Sequence, residues 1–230
     1  MSHVLVAGGS RGIGAATVKL YEDNGHKVSY FYKHAPGIAG YGIKADVQII
    51  GEIENGIKEA VNKYGPVNIL VYCAGISLTG LTTDFTYEDY LRVMNTNFGG
   101  FFALCKEVIP AMVSAKSGVI TAVSSMWGQT GASCESVYAA SKGAMDAYVK
   151  SLAKELGPSG IRVNAVSPGV INTDMMNEYS EEDKRDLADE TPLQRLGNPD
   201  DVAKVIYNLS TDDSSFITGQ IIGVNGGFLI

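Results

Sequence analysis

Only three cysteines, Cys73, Cys105 and Cys134, occur in the 230 residues. An odd number without metal-ligand spacing argues against both a disulfide framework and a zinc site, so no metal is expected. Cys134 reads more simply as a small loop residue than as a reactive thiol. Basic residues are also scarce. Lys and Arg number 18 against 25 Asp and Glu, a net charge of −7. Without a basic stripe there is nothing to bind a phosphate backbone, and nucleic acid is excluded as a partner. No apolar run approaches membrane-spanning length, and the first strand pattern begins at His3, which leaves no room for a signal peptide. A cytoplasmic chain with no membrane partner is the expectation. Linkers, internal repeats and low-complexity tracts are missing as well, so residues 1–230 read as one domain. With 45% hydrophobic and 19% charged residues, the composition is that of an ordinary folded protein.

What is present is an alternation of two periodicities. Apolar, β-branched runs at His3–Ala7, Lys27–Tyr32, Tyr41–Ala45, Val67–Tyr72, Gly118–Val123, Ile161–Val166 and Gln220–Val224 predict seven strands. Helical patterns fall near 12–24, 49–64, 86–116, 137–156 and 199–210. This predicts an α/β fold: a doubly wound, mostly parallel seven-stranded sheet with helices on both faces. The link from strand two to strand three holds only Lys33 to Gly40, with Pro36 and Gly37 inside it. Parallel crossovers need about a dozen residues or more, so this connection should be a bare loop that leaves part of one sheet face less covered. The charged stretch Glu178–Glu190 suits either a solvated helix face or a mobile lid.

Gly8, Gly12 and Gly14 follow the first strand and open the first helix. Glycines permit a tight turn and a close approach of backbone to a pyrophosphate, whose charge a helix N-terminus favours. The spacing is G-x-x-x-G-x-G rather than the commoner G-x-G-x-x-G, but strand, turn and helix are the setting such a Rossmann-type site needs. A purely structural turn is the alternative. At the end of the second strand, Tyr30-Phe31-Tyr32-Lys33-His34 carries no acid to accept the ribose hydroxyls of NAD. Lys33 or His34, with Arg11 from the glycine turn, suits a 2′-phosphate. NADP is therefore the expected cofactor, with NAD as the alternative.

A second constellation joins Ser125, Tyr138 and Lys142. Tyr138 and Lys142 are four apart on one predicted helix face, and Ser125 ends the fifth strand at its carboxyl edge. A free phenol titrates near 10, so a tyrosine that exchanges protons near neutrality needs a cation beside it. An exposed helix pair would be the bland account of the same spacing.

These parts in order, with Asp46, Ala74-Gly75, Asn97 and Pro168-Gly169, resemble the short-chain dehydrogenase/reductase family over nearly the whole chain. Thr191–Ala203, Ser214–Gln220 and Asn225–Gly227 are similar to 3-oxoacyl-acyl-carrier-protein reductases. The resemblance implies that Tyr138 protonates a carbonyl oxygen, Ser125 hydrogen-bonds it, and Asn97 connects Lys142 to solvent through water. Lys142, with Tyr138, also meets the nicotinamide ribose. By the same resemblance the cofactor is bound by Gly8, Ser10, Arg11, Gly12, Ile13 and Gly14. Asp46 and Val47 would flank the adenine, and Ile171 and Thr173, after Pro168 and Gly169, would fix the nicotinamide carboxamide; Lys33, Ala74 and Gly75 complete the candidate cofactor site. Asp46 serving only to cap a turn, and Asn97 only to accommodate a helix bend, are the alternatives.

The chain departs from the family pattern at Tyr72-Cys73, where Asn-Asn is usual, and at Ala7, where threonine is usual. Both changes are expected to remove polar contacts around the cofactor. The implied activity is NADP(H)-dependent reduction of a small-molecule or acyl-thioester carbonyl, with a 3-oxoacyl thioester foremost. Another alcohol, such as a sugar, steroid or small metabolite, is the alternative substrate class, and a catalytically silent NADP-binding sensor is the alternative from outside enzymes. Trp127, Gln129, Met175 and Met176 would wall the substrate site, and Lys116 and Arg162 are the basic residues available to an acidic carrier protein. The resemblance implies a homotetramer, and the apolar ending Phe228-Leu229-Ile230 suits burial in it or within its own subunit.

Overall fold

The computed structural model describes residues 1–177 and 179–230. Seven parallel strands form one sheet in the order β3-β2-β1-β4-β5-β6-β7. They are β1 (His3–Ala7), β2 (Lys27–Tyr32), β3 (Tyr41–Lys44), β4 (Ile69–Tyr72), β5 (Gly118–Val123), β6 (Ile161–Pro168) and β7 (Ile221–Val224). Strand six runs two residues beyond the predicted end because it still pairs there, Ser167 with Gly223 and Pro168 with Val224. Strand four begins two residues late. The side chain and backbone of Asn68 make its first bonds to His3, before the regular ladder starts at Val4 and Ile69.

Helices α1 (Gly12–Asp23) and α8 (Pro199–Ser210) cover one face, and α2 (Ile50–Tyr64), α4 (Gly100–Ala115) and α6 (Ser136–Leu156) the other. Every residue of β1 is buried, because side chains alternate between two covered faces. Val4 and Val6 join Val18, Tyr21, Val202 and Ile206, while Leu5 and Ala7 join Phe101, Leu104, Ile120 and Met145.

The short link between β2 and β3 is a loop, as its length predicts, but the sheet face beside it is closed. Tyr30, 1% exposed, lies under the returning chain. A β-carbon at Gly42 would come within 2.5 Å of its hydroxyl, and one at Gly40 within 3.1 Å of its ring. One phenol ring therefore occupies space that a crossover helix would otherwise fill, and glycine is what allows the loop to settle on it.

The predicted helix 86–116 is α3 (Tyr87–Met94), a π-helical turn at Asn95–Gly99, and α4. Together they form a run, Tyr87–Ala115, long and apolar enough, by length and composition alone, to cross a membrane. This corrects the expectation that no apolar stretch reaches membrane-spanning length. Its apolar residues have an internal use: Leu104, Cys105, Val108 and Met112 are buried in the core. Two short helices complete the set, α5 (Trp127–Thr130) and α7 (Glu181–Glu190). Within the stretch Glu178–Glu190, Glu178 lies outside the described residues. Ser180 and Asp183 form a reciprocal N-cap on α7, which buries none of its residues. That is the solvated-helix reading of the charge pattern.

Candidate active site

The sequence-predicted site residues follow the carboxyl ends of β1 to β6, with Asn97 from the π turn and Tyr138 and Lys142 from α6; that edge is where open α/β sheets bind ligands. After β1 the chain turns through Gly8 at φ +76° and Gly12 at φ +52°. A β-carbon at Gly8 would lie 2.8 Å from the Ala74 backbone, and one at Gly14 only 2.0 Å from the Gly8 carbonyl oxygen. Glycine is thus dictated at both positions by close packing against the neighbouring strand end and against the turn itself. The Gly8 and Gly9 amides both donate to Phe31 O, at 3.1 and 3.2 Å. No side chain caps α1, and its first turn holds no acid. The N-terminal amides and the helix dipole there fit a pyrophosphate. Ser10, Arg11 and Ile13 lie on this turn, with Ala74 and Gly75 just past β4.

The segment after β6 forms the opposite lip. Thr173 lies 3.4 Å from where a β-carbon at Gly12 would be. Arg11 reaches across to Asp174 at 3.3 Å, both side chains more than half exposed. Pro168 ends β6, and Gly169 packs so closely on Asn225 that a β-carbon would sit 2.9 Å away. Ile171 is 8% exposed, with its side chain in the core and its backbone bridged to Gly197. Only the backbone of Ile171 is left to meet a ligand.

At the adenosine end, Lys33 pairs with Asp46 at 2.7 Å. Asp46 also accepts the Gln48 amide at 3.0 Å, so it does cap a turn. Burial raises its carboxyl, but the Lys33 ammonium and the Gln48 amide outweigh that and hold it below the ordinary range. Val47 is buried among core side chains.

Ser125, Tyr138 and Lys142 do converge. Lys142, 4% exposed, donates to Val123 O at 2.8 Å, and its Nζ lies 5.6 Å from the centroid of the Tyr138 ring. The Ser125 hydroxyl, which accepts the Trp127 amide at 3.2 Å, is close enough to act on the Tyr138 phenol. Burial pushes the phenol up to about 12; the nearby Ser125 hydroxyl opposes this and the charge of Glu135 adds to it. Burial also lowers the Lys142 ammonium to about 8, against the pull of Cys73 and Asp146. Near neutrality the phenol keeps its proton, and the amine largely keeps its own. Asn97, fully buried in the π turn, donates to Ile76 O and Ser141 Oγ, both at 2.9 Å, and accepts from Ile76 N at 2.9 Å. A β-carbon at Gly75 would be 3.4 Å from Lys142 Nζ and 3.5 Å from Asn97 Oδ1, so that glycine keeps open the space between them.

Several expectations are corrected. Tyr72 does not merely delete a polar contact: its buried hydroxyl donates to Thr96 O, one residue before Asn97. Lys116 and Arg162 lie at the opposite sheet edge from Ser125, just before β5 and just inside β6. Arg162 caps the end of α8 through Leu209 O and Thr211 O, at 2.5 and 3.1 Å. Neither can attract a carrier to the site. Trp127 packs edge-on against Phe228, while Ile230 is fully exposed. Two acids outside the predicted set lie beside the site. Glu135 binds Ser77 at 3.0 Å one turn before Tyr138. Asp146, 6% exposed, lies one turn after Lys142. The three- and four-residue offsets from Tyr138 and Lys142 along one helix were the available signal.

An anion-accepting turn facing a proton-bearing phenol across one sheet edge defines a dinucleotide-binding oxidoreductase. A family model described as Enoyl-(Acyl carrier protein) reductase matches residues 7–229, and the chain belongs to the short-chain dehydrogenase/reductase family. It is 37% identical to the uncharacterized oxidoreductase YmfI of Bacillus subtilis, over 97% of both chains. It is 36% identical to the 3-oxoacyl-[acyl-carrier-protein] reductase FabG of Thermotoga maritima, over 98% of this chain and 97% of that one. The ligand-free aldohexose dehydrogenase of Thermoplasma acidophilum superimposes with a TM-score of 0.94 at 30% identity, over 99% of this chain and 93% of that one. The family is one of oxidoreductases and implies a nicotinamide cofactor.

Proposed function

We propose that the protein is an NADP(H)-dependent reductase that converts a carbonyl to an alcohol, with a 3-oxoacyl thioester as its substrate. The observation that carries this reading is the buried Lys142 ammonium, held on Val123 O at the end of β5 and 5.6 Å from the centroid of the Tyr138 ring. When bound, the nicotinamide supplies the hydride. Tyr138 Oη gives its proton to the carbonyl oxygen, and Ser125 Oγ holds that oxygen during the transfer. Lys142 stabilises the phenolate left behind. Asn97 orders the π turn and, through Ser141, the helix that carries Lys142; the space beside Gly75 suits the water through which Lys142 regains a proton.

The turn from Gly8 through Ser10, Arg11, Gly12 and Ile13 to Gly14 would hold the pyrophosphate. Lys33 and Arg11 would meet the 2′-phosphate, Asp46 and Val47 the adenine, and Ala74 and Gly75 the neighbouring ribose. Pro168, Gly169, Ile171 and Thr173 would hold the carboxamide side, and Lys142 with Tyr138 the nicotinamide ribose. We assign residues 1–230 to one domain acting in the cytoplasm as a homotetramer. The similarity to an aldohexose dehydrogenase favours a sugar as the second substrate class.

The test is NADPH oxidation with a 3-oxoacyl thioester, compared with an aldohexose and a steroid ketone. Tyr138→Phe should cost at least about a hundredfold in kcat, the usual scale of a lost general acid. A Phe variant as active as the parent removes Tyr138 from the reaction, and preference for the sugar transfers the assignment to the second class.

A further inference from the structure

We infer that Glu135 screens substrates by charge: its carboxylate turns away a 3-oxo carboxylate and admits the uncharged ester or thioester of the same acid. The inference rests on the reductase reading given above. Glu135 is the residue from which α6 starts, three before Tyr138 and so one helical turn from the phenol. It is partly buried. Ser77, two residues past Gly75, donates its hydroxyl to Glu135 Oε1 at 3.0 Å. The carboxylate is therefore pinned between the loop after β4 and the start of α6, the two segments that bring Gly75 and Tyr138 together.

Among the described residues no cation pairs with it there. Ser77 faces it from the loop after β4. The 3-10 turn at Thr82–Asp84 joins the same helix start through Thr82 and Ser136, at 2.8 Å, and its Asp84 carboxylate binds Leu81 N. On its own segment the neighbours are Cys134 and Tyr138, and the first cation along α6 is Lys142, two turns away and donating to Val123 O. Burial raises the Glu135 carboxyl, the Ser77 bond opposes that, and the charge of Glu135 reaches the Tyr138 phenol. A carbonyl must come to that phenol to be protonated. A substrate with its own carboxylate two carbons from the carbonyl brings a second negative charge into a partly dry site, where like charges repel strongly. An ester or thioester brings none.

The probes are acetoacetate and ethyl acetoacetate, which share the reacting ketone and differ in charge. With NADPH at pH 8, the native enzyme should favour the ester in kcat/KM by at least about tenfold beyond the ratio of Glu135→Gln, the scale of one uncompensated like-charge contact. Any change in the phenol itself affects both probes alike and cancels in this ratio. Ser77→Ala, which retains the charge, should retain the native ratio. As pH falls toward the raised Glu135 value the native ratio should narrow, because acetoacetate stays ionised while Glu135 takes up a proton; the Gln variant's ratio should stay flat. Read from pH 7 downward, where Lys142 already holds its proton, that pH series on native enzyme decides the matter even where the variant fails to fold. A ratio that is the same in native enzyme and Gln variant, or flat with pH in native enzyme, overturns the charge screen alone. Native enzyme that reduces no carbonyl overturns the reductase reading and the screen with it.

Discussion

The hydroxyl of Tyr30 accepts a hydrogen bond from the Gly37 amide at 2.8 Å, joining the end of β2 to the middle of the loop that leads to β3. Gly37 in turn lies against the glycine turn, where a β-carbon would be 3.3 Å from Ser10 Cα. One phenol thus holds the loop that follows Lys33 against the turn proposed to receive the cofactor.

Tyr30→Phe should weaken NADPH binding while sparing kcat. Losing this bond and leaving the Gly37 amide unpartnered costs about 1–2 kcal/mol, which lowers the melting temperature by about 2–8 °C in a chain of this size. Fluorescence titration should give a several-fold higher NADPH dissociation constant. An unchanged constant would show that the loop keeps its place without the hydroxyl.

Lys33→Ala should discriminate between cofactors. The ammonium is now shared with Asp46 at 2.7 Å, and removing it deprives a 2′-phosphate of a charged donor and leaves Asp46 to repel that phosphate. A charge-assisted bond is worth about 1.5–3 kcal/mol, so NADPH should bind at least about tenfold more weakly while NADH changes little. Equal losses for both cofactors would place the phosphate elsewhere.

Asp146→Asn should stabilise the protein at alkaline pH. One Asp146 oxygen is buried without a hydrogen-bond partner among the described residues. Burial raises its carboxyl, against the Ser124 hydroxyl and the charges of Lys150 and Lys142. A carboxyl raised on folding favours the fold while protonated, and that contribution is lost as pH climbs from the ordinary carboxylate range through the raised value. The Asn variant should therefore melt higher than the parent at pH 8, by about 2–4 °C for each kcal/mol relieved. The gap should close toward pH 4, and calorimetry across that range measures it. A variant less stable at pH 8 would mean that the carboxylate's attraction to Lys142 exceeds its burial cost.

Much of the layout was legible in the chain itself. Seven apolar runs alternating with helical periods specify a covered parallel sheet, since only strands buried on both faces are so uniformly apolar. The Tyr138 and Lys142 spacing places both on one helix face wherever that helix packs. Less legible were features set by contacts between distant segments. The π turn at Asn95–Gly99 interrupts what reads as one helix, and the buried Tyr72 hydroxyl that donates to Thr96 O is invisible to periodicity. Lys116 and Arg162 looked available to a carrier because sequence distance says nothing about which edge of a sheet a residue occupies.

The order of strands and helices, the glycine turn and the phenol–amine spacing follow from the sequence alone, because each depends on residues within a few positions of one another. Only the tertiary structure decided that Tyr30 closes the bare sheet face, that Lys33 and Asp46 share their charge, and that Ser77 pins Glu135 beside the phenol. Those contacts join segments far apart in the chain, and their energies depend on burial and distance, which exist only once the chain has folded.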